Sequence, residues 1–116
     1  MKLSLRLTKE LIDPFFSEWE NRSPVISELH KQRKQPKNEV EAGILLYRKL
    51  LAHCNKPESA SNGQALMPVN GEERLAFIES NPGSFAAFRQ LDELFKEMKK
   101  GIASKRVQLK RAEEKT

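Results

Sequence analysis

Two short stretches of this chain crowd together side chains that could do chemistry. In VNGEERLAFIESNP, residues 69–82, Asn70, Glu72, Glu73 and Arg74 stand just ahead of Leu75, Phe77 and Ile78. Paired carboxylates beside an arginine are the raw material of general acid–base catalysis. Further upstream His53 and Cys54 are neighbours, a base beside a nucleophile or two ligands of a metal set. Direction argues against both. Adjacent residues on a helix point about 100° apart, so Glu72 and Glu73 cannot face one another across a substrate. The Asn70-to-Glu73 spacing predicts a capping box instead, with Asn70 accepting from the Glu73 amide and Glu73 reaching back. Arg74 has no carboxylate at helical-neighbour spacing, because Asn70, Gly71, Phe77 and Ile78 hold those positions. Its partner must come from another segment or from water.

His53 and Cys54 diverge in the same way, and no CxxC or HExxH pattern supplies a tetrahedral metal set. Cys54 falls on an apolar stripe and reads as a small buried hydrophobe. His30 lies among polar residues and reads as solvated. There is no GxSxG elbow, and the five glycines form no phosphate-binding loop. The expectation is a non-enzyme with no catalytic residue, no cofactor and no metal site.

The elements that carry these residues are read from period. In NEVEAGILLYRKLLAHC, Val40, Ile44, Tyr47, Leu51 and Cys54 make one helical stripe, widened by Leu45, Leu46 and Leu50. Asn38 is the expected cap, with Glu39 and Glu41 in the first turn. Gly43, costly inside a helix, implies a close-packed neighbour. In the segment from Asn81 to Arg111, Phe85, Phe88, Leu91, Phe95, Met98 and Ile102 form a second stripe, with Pro82 as the expected first helical residue. Its aromatic residues suit core packing better than a stacking platform for bases. Beyond Ile102 the stripe fails, so the helix should run past the core and fray. Upstream, Asp13–Pro14 and Ser23–Pro24 both look like helix starts, yet Phe16, Trp19 and Ile26 keep one phase across Pro24. That favours a continuous or barely broken helix ending before Pro36 over two short ones. Alternating Met1, Leu3, Leu5 and Leu7 has strand period but no second strand to pair with, so an extended arm or a short helix beginning at Thr8 is expected. Residues 55–70 are rich in Pro, Ser, Asn and Gly and read as a loop.

The fold class that follows is all-α: a single compact domain of four or five helices with a basic C-terminal helical extension. The divisions are residues 1–13, an N-terminal arm or short helix; 14–102, the helical domain with its loop near 55–70; and 103–116, the extension. No apolar run approaches the ~18 residues of a membrane span. Arg6 and Lys9 interrupt any signal-peptide core, and the lone Cys54 can form no disulfide within the chain. A cytoplasmic location is expected.

The 116 residues carry a net charge of +5, unevenly placed. KQRKQPK, residues 31–37, holds four basic residues and no acid, and residues 96–116 hold eight basic against three acidic. Such focused charge can recruit an anionic partner. Lys96, Lys99, Lys100, Lys105, Arg106, Lys110 and Arg111 could line one side of an extended helix and meet phosphates, giving affinity without sequence choice. No helix-turn-helix, zinc finger or RNA-binding aromatic motif accompanies them. A protein-binding adaptor with an unidentified protein partner is therefore the first functional expectation, and a non-specific nucleic-acid-binding accessory protein the second.

FFSEWE, GILLYRKLLAHCN and PVNGEERLAFIESNPGSFAAFRQLDELFKEMKK together resemble the YpoC-like family of small proteins from Gram-positive bacteria, over about residues 15–100. VNGEERLAFIESNP followed by FRQLDELFKE is the most specific part. The resemblance implies a helical fold and supplies no catalytic residue to carry over. Family members tend to be encoded close to DNA replication and repair functions, which implies a DNA-linked setting. The Ser23–Pro24 break and the loop at 55–66 depart from the family pattern.

Overall fold

Helical period becomes helix throughout the described residues. A computed structural model describes residues 3–55 and 66–114. The elements are α1 (Leu3–Arg6), α2 (Lys9–Lys31), α3 (Lys37–Cys54), α4 (Gly71–Ser80) and α5 (Phe85–Glu114). The alternating leucines form neither a strand nor an extended arm. Leu3 and Leu5 lie in the single turn of α1, and Leu7 follows it fully buried. Much of the loop expected at 55–70 lies outside the described residues.

α2 starts earlier than Asp13–Pro14 suggested. Thr8 is its N-cap residue, and Pro14 and Pro24 both lie inside it. A proline mid-helix removes one backbone bond and crowds the preceding turn, a cost of about 3 kcal/mol. Burial of Ile12, Phe16, Trp19 and Ile26 on one face outweighs it. The helix ends in a Schellman arrangement: the Lys34 amide donates to the Leu29 carbonyl and the Arg33 amide to the His30 carbonyl, each at 2.9 Å. Arg33 there has φ 60°, the left-handed region.

α3 begins one residue before Asn38, which sits in the first turn and caps nothing; the Pro36 carbonyl accepts the first bond, from the Val40 amide at 3.0 Å. Gly43 is where the close neighbour was expected. A Cβ built there would lie 2.6 Å from Trp19 Cζ3 and 3.0 Å from Leu91 Cδ2.

α5 begins at Phe85, three residues past the expected Pro82. Asn81–Ser84 is a turn closed by the Ser84 amide on the Asn81 carbonyl at 3.1 Å, and Ser84 Oγ caps the helix by accepting from the Ala87 amide at 3.0 Å. As expected, α5 runs past the core, whose last fully buried α5 residue is Ile102, and it stays helical to Glu114.

This long helix is the spine of a compact single domain, with α1, α2, α3 and α4 packed along it. Phe95 is its aromatic hub: Trp19 stacks on it at 4.6 Å, and Tyr47 and Phe16 meet it edge-on at 5.3 and 6.4 Å. The stripe read from sequence is core at Phe88, Leu91, Phe95, Met98 and Ile102. Phe85, placed in that stripe by its spacing, is instead 52% exposed because it stands at the helix's first position, beyond the packed layer.

Candidate functional site

VNGEERLAFIESNP builds a clamp. Asn70 stands at the N-cap position of α4, but its backbone is left-handed with φ 55° and its side chain makes no cap bond, so the capping box does not form. The tight turn before α4, in which the Gly71 amide donates to the Pro68 carbonyl at 3.0 Å, sets that conformation. Asparagine tolerates it. Arg74 finds its partner across space. Nη1 donates to Glu97 Oε1 and Nη2 to Glu97 Oε2, the first at 3.0 Å. Nε donates to Gln90 Oε1 at 3.0 Å, and Nη1 also reaches the Val69 carbonyl at 3.2 Å. Arg74 thereby ties α4 and the segment before it to α5.

The hydrogen bond from Arg74 holds the Glu97 carboxyl below its ordinary range, and the Arg74 guanidinium is shifted up in return. Beside them the Tyr47 hydroxyl is buried with no hydrogen-bond partner among the described residues. Its pKa is pushed up to about 12, chiefly by burial; Arg74 opposes the rise, while Glu97 and Glu72 add to it. Glu72 and Glu73 are exposed on the first turn of α4, where the helix dipole favours them.

His53 and Cys54 diverge as expected. His53 Nε2 lies 2.8 Å from the Arg6 carbonyl, so that nitrogen carries the proton. Cys54 is buried, and desolvation pushes its thiol up to about 12. His30, expected to be solvated, is half-buried: it packs against Phe85 at 5.3 Å and Phe88 at 6.0 Å, with Nε2 buried and unpartnered among the described residues. Among the described residues no three His, Cys, Asp or Glu side chains converge to hold a metal ion.

The seven basic residues expected to line one side of α5, from Lys96 to Arg111, do not form one line. Lys96 is 2.9 Å from Asp92, whose other oxygen accepts from Trp19 Nε1, also at 2.9 Å. Lys99 pairs with Glu20 at 3.6 Å and hangs 5.8 Å over the Phe16 ring. Arg106 folds inward: Nε donates to the Leu7 carbonyl, and Nη2 is buried without a partner among the described residues. Lys105 sits about 180° around the helix from Lys96. Lys100, Lys110 and Arg111 are exposed.

Sequence reasoning missed a groove between α2 and α3, lined by Pro14, Phe15, Glu18, Arg22, Ala42, Leu45, Leu46 and Lys49, with a volume of about 380 Å³. A second hollow, sharing Glu18 and Arg22, extends it to Val25 and Glu39. Leu45 at 61% and Val25 at 54% are among the most exposed large apolar residues described. The available signal was a second α2 stripe, Leu11, Phe15, Glu18, Arg22 and Val25, at spacings of three and four.

These features define a class: a small all-helical domain built on one long C-terminal helix, with a clamp from α4 and an open groove between α2 and α3. Residues 9–110 match the family model described as YpoC-like protein, and the chain belongs to this family. No curated protein matches it, and no solved structure does. No helix among the described residues is long and apolar enough to cross a membrane.

Proposed function

We propose that the protein is a non-enzymatic adaptor, working in the cytoplasm, whose α2–α3 groove takes an amphipathic helix from a partner protein. The observation that carries this is the apolar lining formed by exposed Pro14 and Leu45 with half-buried Phe15 and Ala42, which no described element of the chain covers. Such grooves accept helices through apolar anchors repeating at three and four residues. The charges set the occupant's chemistry. Glu18 and Arg22 neutralise one another at 3.1 Å in the middle. Lys49 stands at one end and Glu39 at the other, ten residues apart on α3, or roughly 15 Å. A partner helix with an acid facing Lys49 and a base facing Glu39 complements both.

The other reading, nucleic-acid contact along residues 96–111, has fewer cations to draw on, since Lys96, Lys99 and Arg106 are engaged within the protein. A comparison of tagged wild-type and Leu45→Asp proteins in native extracts tests the adaptor reading. One stoichiometric partner protein held by the wild type and lost from L45D, with both melting alike, is the expected result. Equal retention by both proteins would remove the groove from the account.

A further inference from the structure

The basic segment at residues 31–37 plays no part in the groove or the clamp, and the fold sets it beside an exposed aromatic ring. His30, the residue before it, meets Phe85 edge-on at 5.3 Å. Within it, Gln35 lies against Gly83, 3.5 Å from where a Cβ would stand. The α2–α3 turn is thereby held against the start of α5, where Phe85 is 52% exposed. One helical turn on, Arg89 is also exposed.

Lys31, Arg33, Lys34 and Arg89 are all exposed, and none has a carboxylate partner among the described residues. Of the acids on the adjoining helix turns, Glu41 faces Lys37 at 4.0 Å, Glu93 faces Lys96 at 4.0 Å, and Glu28 accepts from the Gln32 amide at 3.4 Å. Arg33 is the telling residue. It occupies the left-handed position that closes a Schellman motif, with φ 60°. Glycine is the unstrained choice there, and an arginine is strained. A strained side chain kept at a surface turn points to use of that side chain.

We propose that this end of the molecule binds single-stranded nucleic acid, with Phe85 stacking on an unpaired base and Lys31, Arg33, Lys34 and Arg89 meeting the flanking phosphates. Stacking needs a base out of the duplex, which selects single strands, and every base has a face to offer, so little sequence preference follows. The site is separate from the α2–α3 groove and from the basic residues of α5 beyond Ile102.

Fluorescence anisotropy with labelled strands of about 12 nucleotides tests it, using oligo-dT, oligo-U, an abasic strand and a duplex at about 50 mM salt. The wild type binds the two base-bearing strands more tightly than the abasic strand or the duplex; the tighter of the two identifies DNA or RNA as the ligand. F85A loses about five- to tenfold on oligo-dT and nothing on the abasic strand. R33G separates binding from folding, because it melts higher by about 2–5 °C and yet binds more weakly. The paired change R33Q/K34Q flattens the salt dependence by roughly 1.4 in log–log slope. K110E/R111E leaves binding unchanged. Absence of binding at low salt, an F85A protein that binds oligo-dT like wild type, or loss of binding in K110E/R111E would each overturn the proposal.

Discussion

Arg74 of α4 and Glu97 of α5 lie 23 residues apart and meet as a two-pronged ion pair, with Nη1 to Oε1 at 3.0 Å. The pair is partly exposed, at 22% and 38% of the two side chains, so solvent screens much of its worth. Its value lies in the fork, which an ammonium cannot reproduce. Arg74→Lys is therefore expected to destabilise the fold by about 1 kcal/mol in urea unfolding, nearly as much as Arg74→Met.

The same pair predicts an acid-side pH dependence. Glu97 is depressed below its ordinary 4.5, chiefly by the Arg74 hydrogen bond. Its contribution is fully present above about pH 4.5 and disappears as pH falls through the lower folded-state value. Melting temperature should fall more steeply below that pH in wild type than in Glu97→Gln. Parallel curves would show that the pair contributes nothing.

Gly43→Ala opposes two known effects. Alanine favours the helix by about 1 kcal/mol, but its Cβ would stand 2.6 Å from Trp19 Cζ3. The Trp19 ring is held by its stack on Phe95 and its bond to Asp92, so it has little room to yield. Net destabilisation of about 1–2 kcal/mol is expected from denaturant titration, with a shifted Trp19 emission.

Pro24→Ala should act in the opposite direction. Pro24 is exposed within α2 and packs nothing in the core. Alanine restores a backbone donor and removes ring crowding, a gain of up to about 3 kcal/mol, offset by about 1 kcal/mol of added unfolded-state freedom. Thermal melts should show a stabilised protein with unchanged helicity.

Cys54 and Tyr47 set the alkaline limit. Burial raises the thiol from 9.0 and the phenol from 10.0, each to about 12. Both stay neutral in the fold while the unfolded chain ionises, so stability declines above about pH 9 and continues to fall toward pH 12. A thiol reagent at neutral pH should label Cys54 only at the rate of unfolding.

Much of this architecture was legible because burial repeats with the helix. The stripes through Val40–Cys54 and Phe88–Ile102 became core, except that Leu45, read as widening the first, is 61% exposed; Gly43 signalled a close-packed neighbour, which is Trp19; and Arg74, with no helical-neighbour acid, pointed to a partner elsewhere. The errors fell at helix ends. Asn38, Pro82 and the Asn70–Glu73 pair all carry cap-like residue types, but Pro36, Ser84 and a left-handed turn fix those termini through backbone geometry that types alone do not reveal. The candidate site was harder to read. Whether Lys96 is free or held by Asp92, and whether Phe85 is core or surface, depends on where neighbouring helices lie. The α2–α3 groove was hidden because its stripe includes charged Glu18 and Arg22 among the apolar positions.

The adaptor reading is tested most directly by photo-crosslinking in living cells, with a photoreactive phenylalanine analogue at Leu45 in the groove or at exposed Ala112 near the end of α5. The account predicts one discrete protein adduct from position 45, none from position 112, and loss of the adduct when Ala42→Asp is added. Adducts of equal yield from both positions, or none from position 45, would contradict it.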